Sequence, residues 1–218
     1  MSDRAAPVVL VAPSGTGKTT LASRLIDGSG PYVFSVSATT RKPRDGERDG
    51  IDYHFLQPKE FDDRIEEGWF AEWALVHDHM YGTPRSELDA ASARGEHVVM
   101  DIDVQGASQI RASVAQAKLI FVLPQSVDIM LARLIKRGTE DPESIARRLE
   151  SAVVELQAVP DFDYVVVNDD LDECVSEIRN IVEGQEPTVF HEQDAEQMRR
   201  EIVKLLEGYY NMYQKDSE

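Results

Sequence analysis

The chain has 218 residues and a formal charge of −17, with 42% hydrophobic residues, 29% charged residues and one cysteine, Cys174. That balance suits one sizeable buried core with inserted lobes. It excludes an internal disulfide and a sulfur-rich metal site, and argues against non-specific binding to nucleic acid or anionic membrane.

The apolar runs, such as Pro7–Ala12 and Ala117–Pro124, fall short of the about 20 residues a membrane-spanning helix needs. No secretory leader is expected, and a cytoplasmic location is the expectation. Pro7–Ala12 reads as a buried strand, followed by a glycine-containing turn and a helix from about Lys18 to Ile26. Further core strands are expected at Tyr32–Val36, His97–Asp101, Lys118–Leu123 and Tyr164–Val167. Helical patterns fall near Gln105–Ala115, Ser126–Lys136, Pro142–Ala158 and Asp170–Val182. Strands that are apolar throughout and alternate with helices predict an α/β fold with a central parallel sheet flanked by helices.

Residues 37–96 break the alternation with charged turns and two strand-like pieces, Asp52–Leu56 and Trp69–Val76. They read as an inserted lobe between core segments 1–36 and 97–132. A polar, arginine-bearing lid at 133–149 precedes the last core segment, 150–186. From residue 187 to 218 an extension is expected, with Met198, Ile202, Leu205, Leu206, Tyr209 and Tyr213 forming one apolar helical stripe. Such a stripe covers the core or a neighbouring subunit, so a homo-oligomer through the extension is one expected partner arrangement.

Ala12-Pro-Ser-Gly-Thr-Gly-Lys-Thr19, between strand and helix, matches G-x-x-x-x-G-K-[ST] except that Ala12 replaces the first glycine. Gly15 and Gly17 let backbone N–H groups turn towards phosphate oxygens, and the helix amino terminus adds its dipole. Lys18 can reach β- and γ-phosphates, and the Thr19 hydroxyl can ligate Mg²⁺. The nucleotide-phosphate site therefore comprises Ala12, Pro13, Ser14, Gly15, Thr16, Gly17, Lys18, Thr19 and Thr20.

Residues 41–48 carry a net charge of +2 in this acidic chain. Arg41 and Arg44, three apart around Pro43, suit a bidentate clamp on a phosphate, and Tyr53 can add a phenolic hydrogen bond. Taken alone, such a loop is more often a solvated surface.

Ser37-Ala-Thr-Thr-Arg-Lys-Pro-Arg-Asp-Gly-Glu47 and Asp52-Tyr-His-Phe55 resemble guanylate kinase, a P-loop nucleoside-monophosphate kinase. So do Phe70–Ala74, Tyr81-Gly-Thr83, Asp101–Gly106, Arg137–Glu140 and Val167–Asp170, in order from about Pro7 to Val182. The resemblance implies an ATP-binding core, a GMP-binding lobe and a lid, with ATP and GMP as partners and Mg²⁺ as cofactor. It places Arg41, Arg44, Tyr53 and Tyr81 at the GMP phosphate, and Ser37, Glu72, Thr83 and Asp103 around guanine. Carboxylates suit the N1–H and N2 donors of that base, and the hydroxyls suit O6.

Asp101, at a strand end, is implied near the phosphates and Mg²⁺. Arg133, Arg137 and Arg148 are implied at the transferring group, with Asn168 at adenine. Asp78 departs from the family, which generally has glycine there. The implied activity is phosphoryl transfer from MgATP to GMP, giving ADP and GDP, with Lys18, Arg41, Arg137 and Arg148 as catalytic groups. The rivals are a non-catalytic guanylate-kinase-like binding module, disfavoured by the intact donor residues, and a ribose-phosphate kinase of similar fold, disfavoured by the base-reading set. His77 and His79 read as loop residues, and Cys174 as a buried inert thiol.

Overall fold

The computed structural model describes residues 5–27, 30–76, 78–136, 142–185 and 192–215. Its first elements are β1 (Val8–Val11), α1 (Lys18–Ile26), β2 (Tyr32–Phe34), β3 (Ala38–Thr39), β4 (His54–Phe55) and α2 (Pro58–Glu66). They continue with β5 (Phe70–Val76), β6 (His79–Pro84), α3 (Arg85–Arg94), β7 (His97–Asp101), α4 (Val104–Ser113) and β8 (Lys118–Pro124). The chain then forms α5 (Val127–Lys136), α6 (Pro142–Gln157), a 3-10 turn at Val159–Asp161, β9 (Tyr164–Asn168), α7 (Leu171–Val182) and α8 (Glu192–Lys215). One sheet has the order β2-β7-β1-β8-β9, the other β4-β3-β6-β5. The first is the parallel α/β sheet that the uninterrupted apolar runs predict.

By its internal contacts the chain divides into two units, Met1–Leu10 with Ala22–Leu119, and Val11–Leu21 with Ile120–Glu218. In the first, β7 pairs in parallel with β1 (Val8 opposite Val99) and with β2 (Val33 opposite Val98). Val8, Val9, Leu10, Val99 and Met100 are fully buried. β2 stops at Phe34, two residues short of the expected strand.

The smaller sheet of this unit is mixed. β3 pairs parallel to β4 and antiparallel to β6, which pairs antiparallel to β5. Phe61 of α2 stacks on Phe70 of β5 with centroids 4.4 Å apart, closing a core with Ala38. Where β5 passes to β6, Val76 lies opposite His79. Asp78 takes φ +67° there, the left-handed conformation that a glycine would supply.

In the second unit β8 and β9 pair in parallel, Val122 opposite Val166. Asp170 caps α7, its Oδ1 accepting the N–H groups of Asp172 and Glu173. α8 packs along α6 and touches α5. Ala195, Met198, Ile202 and Leu206 are buried, but Leu205 is 43% exposed. It stands about 100° around the helix from Leu206, so the expected stripe narrows to the Met198–Ile202–Leu206 line. The Tyr209 and Tyr213 side chains lie outside the described residues. Cys174 is buried on α7, and burial pushes its thiol up to about 12, which makes it inert.

Candidate active site

In the second unit, the turn after β1 runs through Gly15 and Gly17 at φ +90° and +91°. At Gly15 a side chain is also excluded by space, because a Cβ would lie 2.9 Å from the Met130 carbonyl. Ala12, by contrast, is buried with no positive φ, so the departure from glycine leaves the loop intact.

Three side chains hold this loop from outside. Arg133 Nη1 and Asn168 Nδ2 both donate to the Thr16 carbonyl at 2.8 Å, and Arg148 Nη1 donates to Ser14 Oγ at 3.3 Å. Thr16 is fully buried, its Oγ1 without a hydrogen-bond partner. Lys18 opens α1 half-buried, while Thr19 and Thr20 are exposed.

A cavity of about 430 Å³ adjoins the loop, lined by Gly15, Gly17, Thr20, Arg133, Asn168, Asp169 and Leu171. That size is in the range of small-molecule sites. Asp169 and Leu171 were not singled out by the sequence reading. Arg137 lies outside the described residues.

In the first unit, Arg41 is locked onto Glu47, Nη1 to Oε2 and Nη2 to Oε1, both 2.9 Å. Glu47 Oε2 also accepts the Arg44 backbone N–H at 2.7 Å. The hydrogen bond from Arg41 holds the Glu47 carboxyl below its ordinary range. The Glu47 contact is in turn the main reason that the guanidinium pKa is raised, with Tyr81 adding to it. Arg41 also lies 5.3 Å from the centroid of Tyr53, which stands edge-on to Tyr81 at 6.2 Å. Burial raises the Tyr53 phenol. Arg41, Tyr53 and Tyr81 thus come together, while the Arg44 side chain is exposed. Sequence reasoning counted Glu47 only against the local positive charge and missed it as Arg41's partner.

The base-reading candidates meet beside this cluster in the same unit. Glu72 on β5 is 4% exposed, and its Oε1 accepts from Thr83 Oγ1 of β6 at 2.7 Å. Burial pushes its carboxyl up to about 7, the charge of Asp103 adding to the rise and the Thr83 hydrogen bond opposing it.

Asp103 is the N-cap of α4, Oδ1 accepting the Gly106 N–H at 2.8 Å. Gly106 faces Glu72 so closely that a Cβ there would lie 2.6 Å from Oε2. The Thr83 proton is spent on Glu72, which leaves the hydroxyl's lone pairs as acceptors. Ser37 is half-buried just before β3, its carbonyl accepting the His54 N–H at 2.9 Å. Asp101 ends β7, half-buried. Among the described residues no cluster of three or more His, Cys, Asp or Glu fits a metal ion.

The sequence model of the guanylate kinase family matches residues 4–185. A guanylate kinase of Nitratidesulfovibrio vulgaris is 51% identical over 79% of this chain and 83% of its own length. One of Myxococcus xanthus is 47% identical over 80% of this chain and 84% of its own. The crystal structure of a guanylate kinase from Anaplasma phagocytophilum, 32% identical, superposes with a TM-score of 0.68 and covers 86% of this chain and 89% of that one.

Proposed function

The chain belongs to the guanylate kinase family, kinases that carry a phosphoryl group from ATP to GMP, and from that premise we propose how its residues divide the reaction. The acceptor is a phosphate oxygen already ionised at neutral pH, so no general base is needed. The difficulty is repulsion between two polyanions, and the protein's work is positioning and charge neutralisation.

The donor phosphates lie on the loop from Ala12 to Thr20, with Lys18 reaching the β- and γ-oxygens. Arg133, Arg137 and Arg148 neutralise the transferring group, and Asn168 borders the adenine. Support comes from the cavity beside Gly15 and Gly17 and from the hydrogen bonds of Arg133, Arg148 and Asn168 to the loop.

On the acceptor side Arg41, Arg44, Tyr53 and Tyr81 hold the GMP phosphate, and Ser37, Glu72, Thr83 and Asp103 read guanine. One observation carries this reading: Glu72 is a buried carboxylate beside a second acid, Asp103. An acceptor pair so placed is matched by a base edge with two donors, N1–H and N2, whereas adenine leaves acceptors unpaired. Sites of this kind reject the wrong base by a factor of about 10⁴.

Thr19 and Asp101 offer hard oxygen donors, which suit Mg²⁺. When bound with ATP, the ion would neutralise phosphate charge. Thr19 and Asp101 would hold the ion together with ATP's own phosphates.

We divide the chain into a core (1–36, 97–132, 150–186), a GMP lobe (37–96), a lid (133–149) and an extension (187–218). We read the protein as cytoplasmic; no described helix is long and apolar enough to cross a membrane. Association of copies through the extension is a further proposal, supported by the exposed Leu205 and tested by light scattering.

The test is ADP production with MgATP and each of GMP, AMP, CMP and UMP, with the product nucleotides identified. Turnover of GMP alone is expected. Equal turnover of AMP removes the base-reading assignment.

A further inference from the structure

We propose that Gln109, assisted by Ser113, is a positioning residue that sets the distance between Glu72 and Asp103, and with it the selectivity for the base. The inference rests on the guanine-reading assignment of those two acids.

β5 is the edge strand of its sheet, with β6 on one side only. An edge leaves backbone N–H and C=O groups without a ladder partner. At Trp73 the Gln109 side-chain amide takes that role from both directions. Its Oε1 accepts the Trp73 N–H at 3.1 Å, and its Nε2 donates to the Trp73 carbonyl at 2.7 Å. One turn further along α4, Ser113 Oγ donates to the Gln109 carbonyl at 2.8 Å and lies 3.5 Å from the Ala71 carbonyl. The two tethered strand residues, Ala71 and Trp73, flank Glu72.

The β5–β6 ladder is interrupted at Ala71, where the register shifts between Phe70 and Glu72, and resumes with Glu72 opposite Thr83, so the strand enters Glu72 from an irregular step that α4 braces. α4 therefore works as a jig. Asp103 caps its amino end, bare Gly106 faces Glu72 Oε2 one turn in, and Gln109 fastens the strand one turn later. Gln109 lies 36 residues from Trp73 in sequence and touches no reacting atom in this scheme. A shift of β5 along α4 would move one acid of the pair and leave the other.

The experiment compares the full-length protein with Gln109→Met, which keeps the length and removes both hydrogen bonds, and with Ser113→Ala and Glu72→Gln. Steady-state rates with MgATP are measured for GMP and for inosine monophosphate, which lacks the N2 amino group, alongside thermal melting. Gln109→Met is expected to raise KM for GMP about tenfold, with kcat and KM for ATP within about twofold, and to narrow the preference for GMP over inosine monophosphate. Ser113→Ala is expected to move in the same direction by about twofold, and carries the test if Gln109→Met does not fold.

Wild-type KM and preference in both variants, with a raised KM in Glu72→Gln, would overturn the positioning role and leave the base reading standing. An unchanged KM in Glu72→Gln would remove the base reading and this inference together. A loss spread equally over kcat and both KM values would mean that Gln109 only supports the fold, and would overturn the proposal too.

Discussion

Arg41 and Glu47 face each other as a two-pronged ion pair within one loop, 2.9 Å on each prong. Glu47 also closes the turn beneath them, its N–H donating to the Arg44 carbonyl at 3.1 Å while its carboxylate takes the Arg44 N–H. The arginine proposed to bind the phosphate is thus held in place by its own loop. The pair is half-buried, its side chains 11% and 19% exposed, and its value lies in ordering a long side chain before the ligand binds. Glu47→Gln is expected to raise KM for GMP about fivefold while KM for ATP stays put. Initial rates at varied GMP check this, and a lower KM would show instead that Glu47 competes with the phosphate.

In the proposed base-reading role, Glu72 would make GMP binding dependent on pH. Its carboxyl is raised from 4.5 to about 7, and only the ionised form accepts both base donors. KM for GMP should therefore fall as pH rises from 6 to 8, by up to about tenfold per unit below 7. Stability moves the opposite way. The folded state holds the Glu72 proton more tightly than the unfolded chain does. Its contribution is complete below about pH 4.5 and is lost as pH rises through about 7, a difference of about 3 kcal/mol. Urea unfolding at pH 5 and pH 8 measures it. Glu72→Gln should lack that component, and identical pH slopes in the two proteins would contradict it.

Gly106→Ala separates binding from stability. Alanine improves helix propensity by about 1 kcal/mol, but its Cβ would press on Glu72 Oε2 from 2.6 Å. Glu72 is buried against Thr83 and has little room to retreat. The expected result is a near-wild-type melting temperature with KM for GMP raised at least about tenfold. An unchanged KM would mean that Glu72 stands elsewhere when GMP binds.

Much of this architecture was legible in the sequence, and the exceptions share a cause. β1, β8 and α7 follow from runs of apolar residues and from Asp170 as a cap, because burial pattern and local hydrogen bonding set them. The loop at Gly15 and Gly17 is carried by residue type within one short window.

Glu47 lay inside a motif, but its side-chain partner depends on how the turn closes. Gln109 carries no local signal, since its partner Trp73 comes from a strand 36 residues away. Asp78 takes a φ of +67°, a left-handed conformation that an aspartate signals far less clearly than a glycine would. Leu205 left the expected stripe because periodicity specifies a broad apolar face, while packing on α6 selects one line of it.

The donor loop offers the last separation. The Thr16 carbonyl receives two donors, Arg133 from an exposed position and Asn168 from one that is 6% exposed. Removing the buried donor leaves the carbonyl one partner and loosens the turn between Gly15 and Gly17. Asn168→Ala should therefore cost about 1 kcal/mol of stability and raise KM for ATP about fivefold, with KM for GMP unchanged. Lys18→Ala, which removes a charge proposed to face the phosphates rather than part of the loop, should abolish turnover with the melting temperature intact. Initial rates at varied ATP and calorimetric melting distinguish the two. If Asn168→Ala instead raises KM for GMP, the assignment of this unit to the donor nucleotide is wrong.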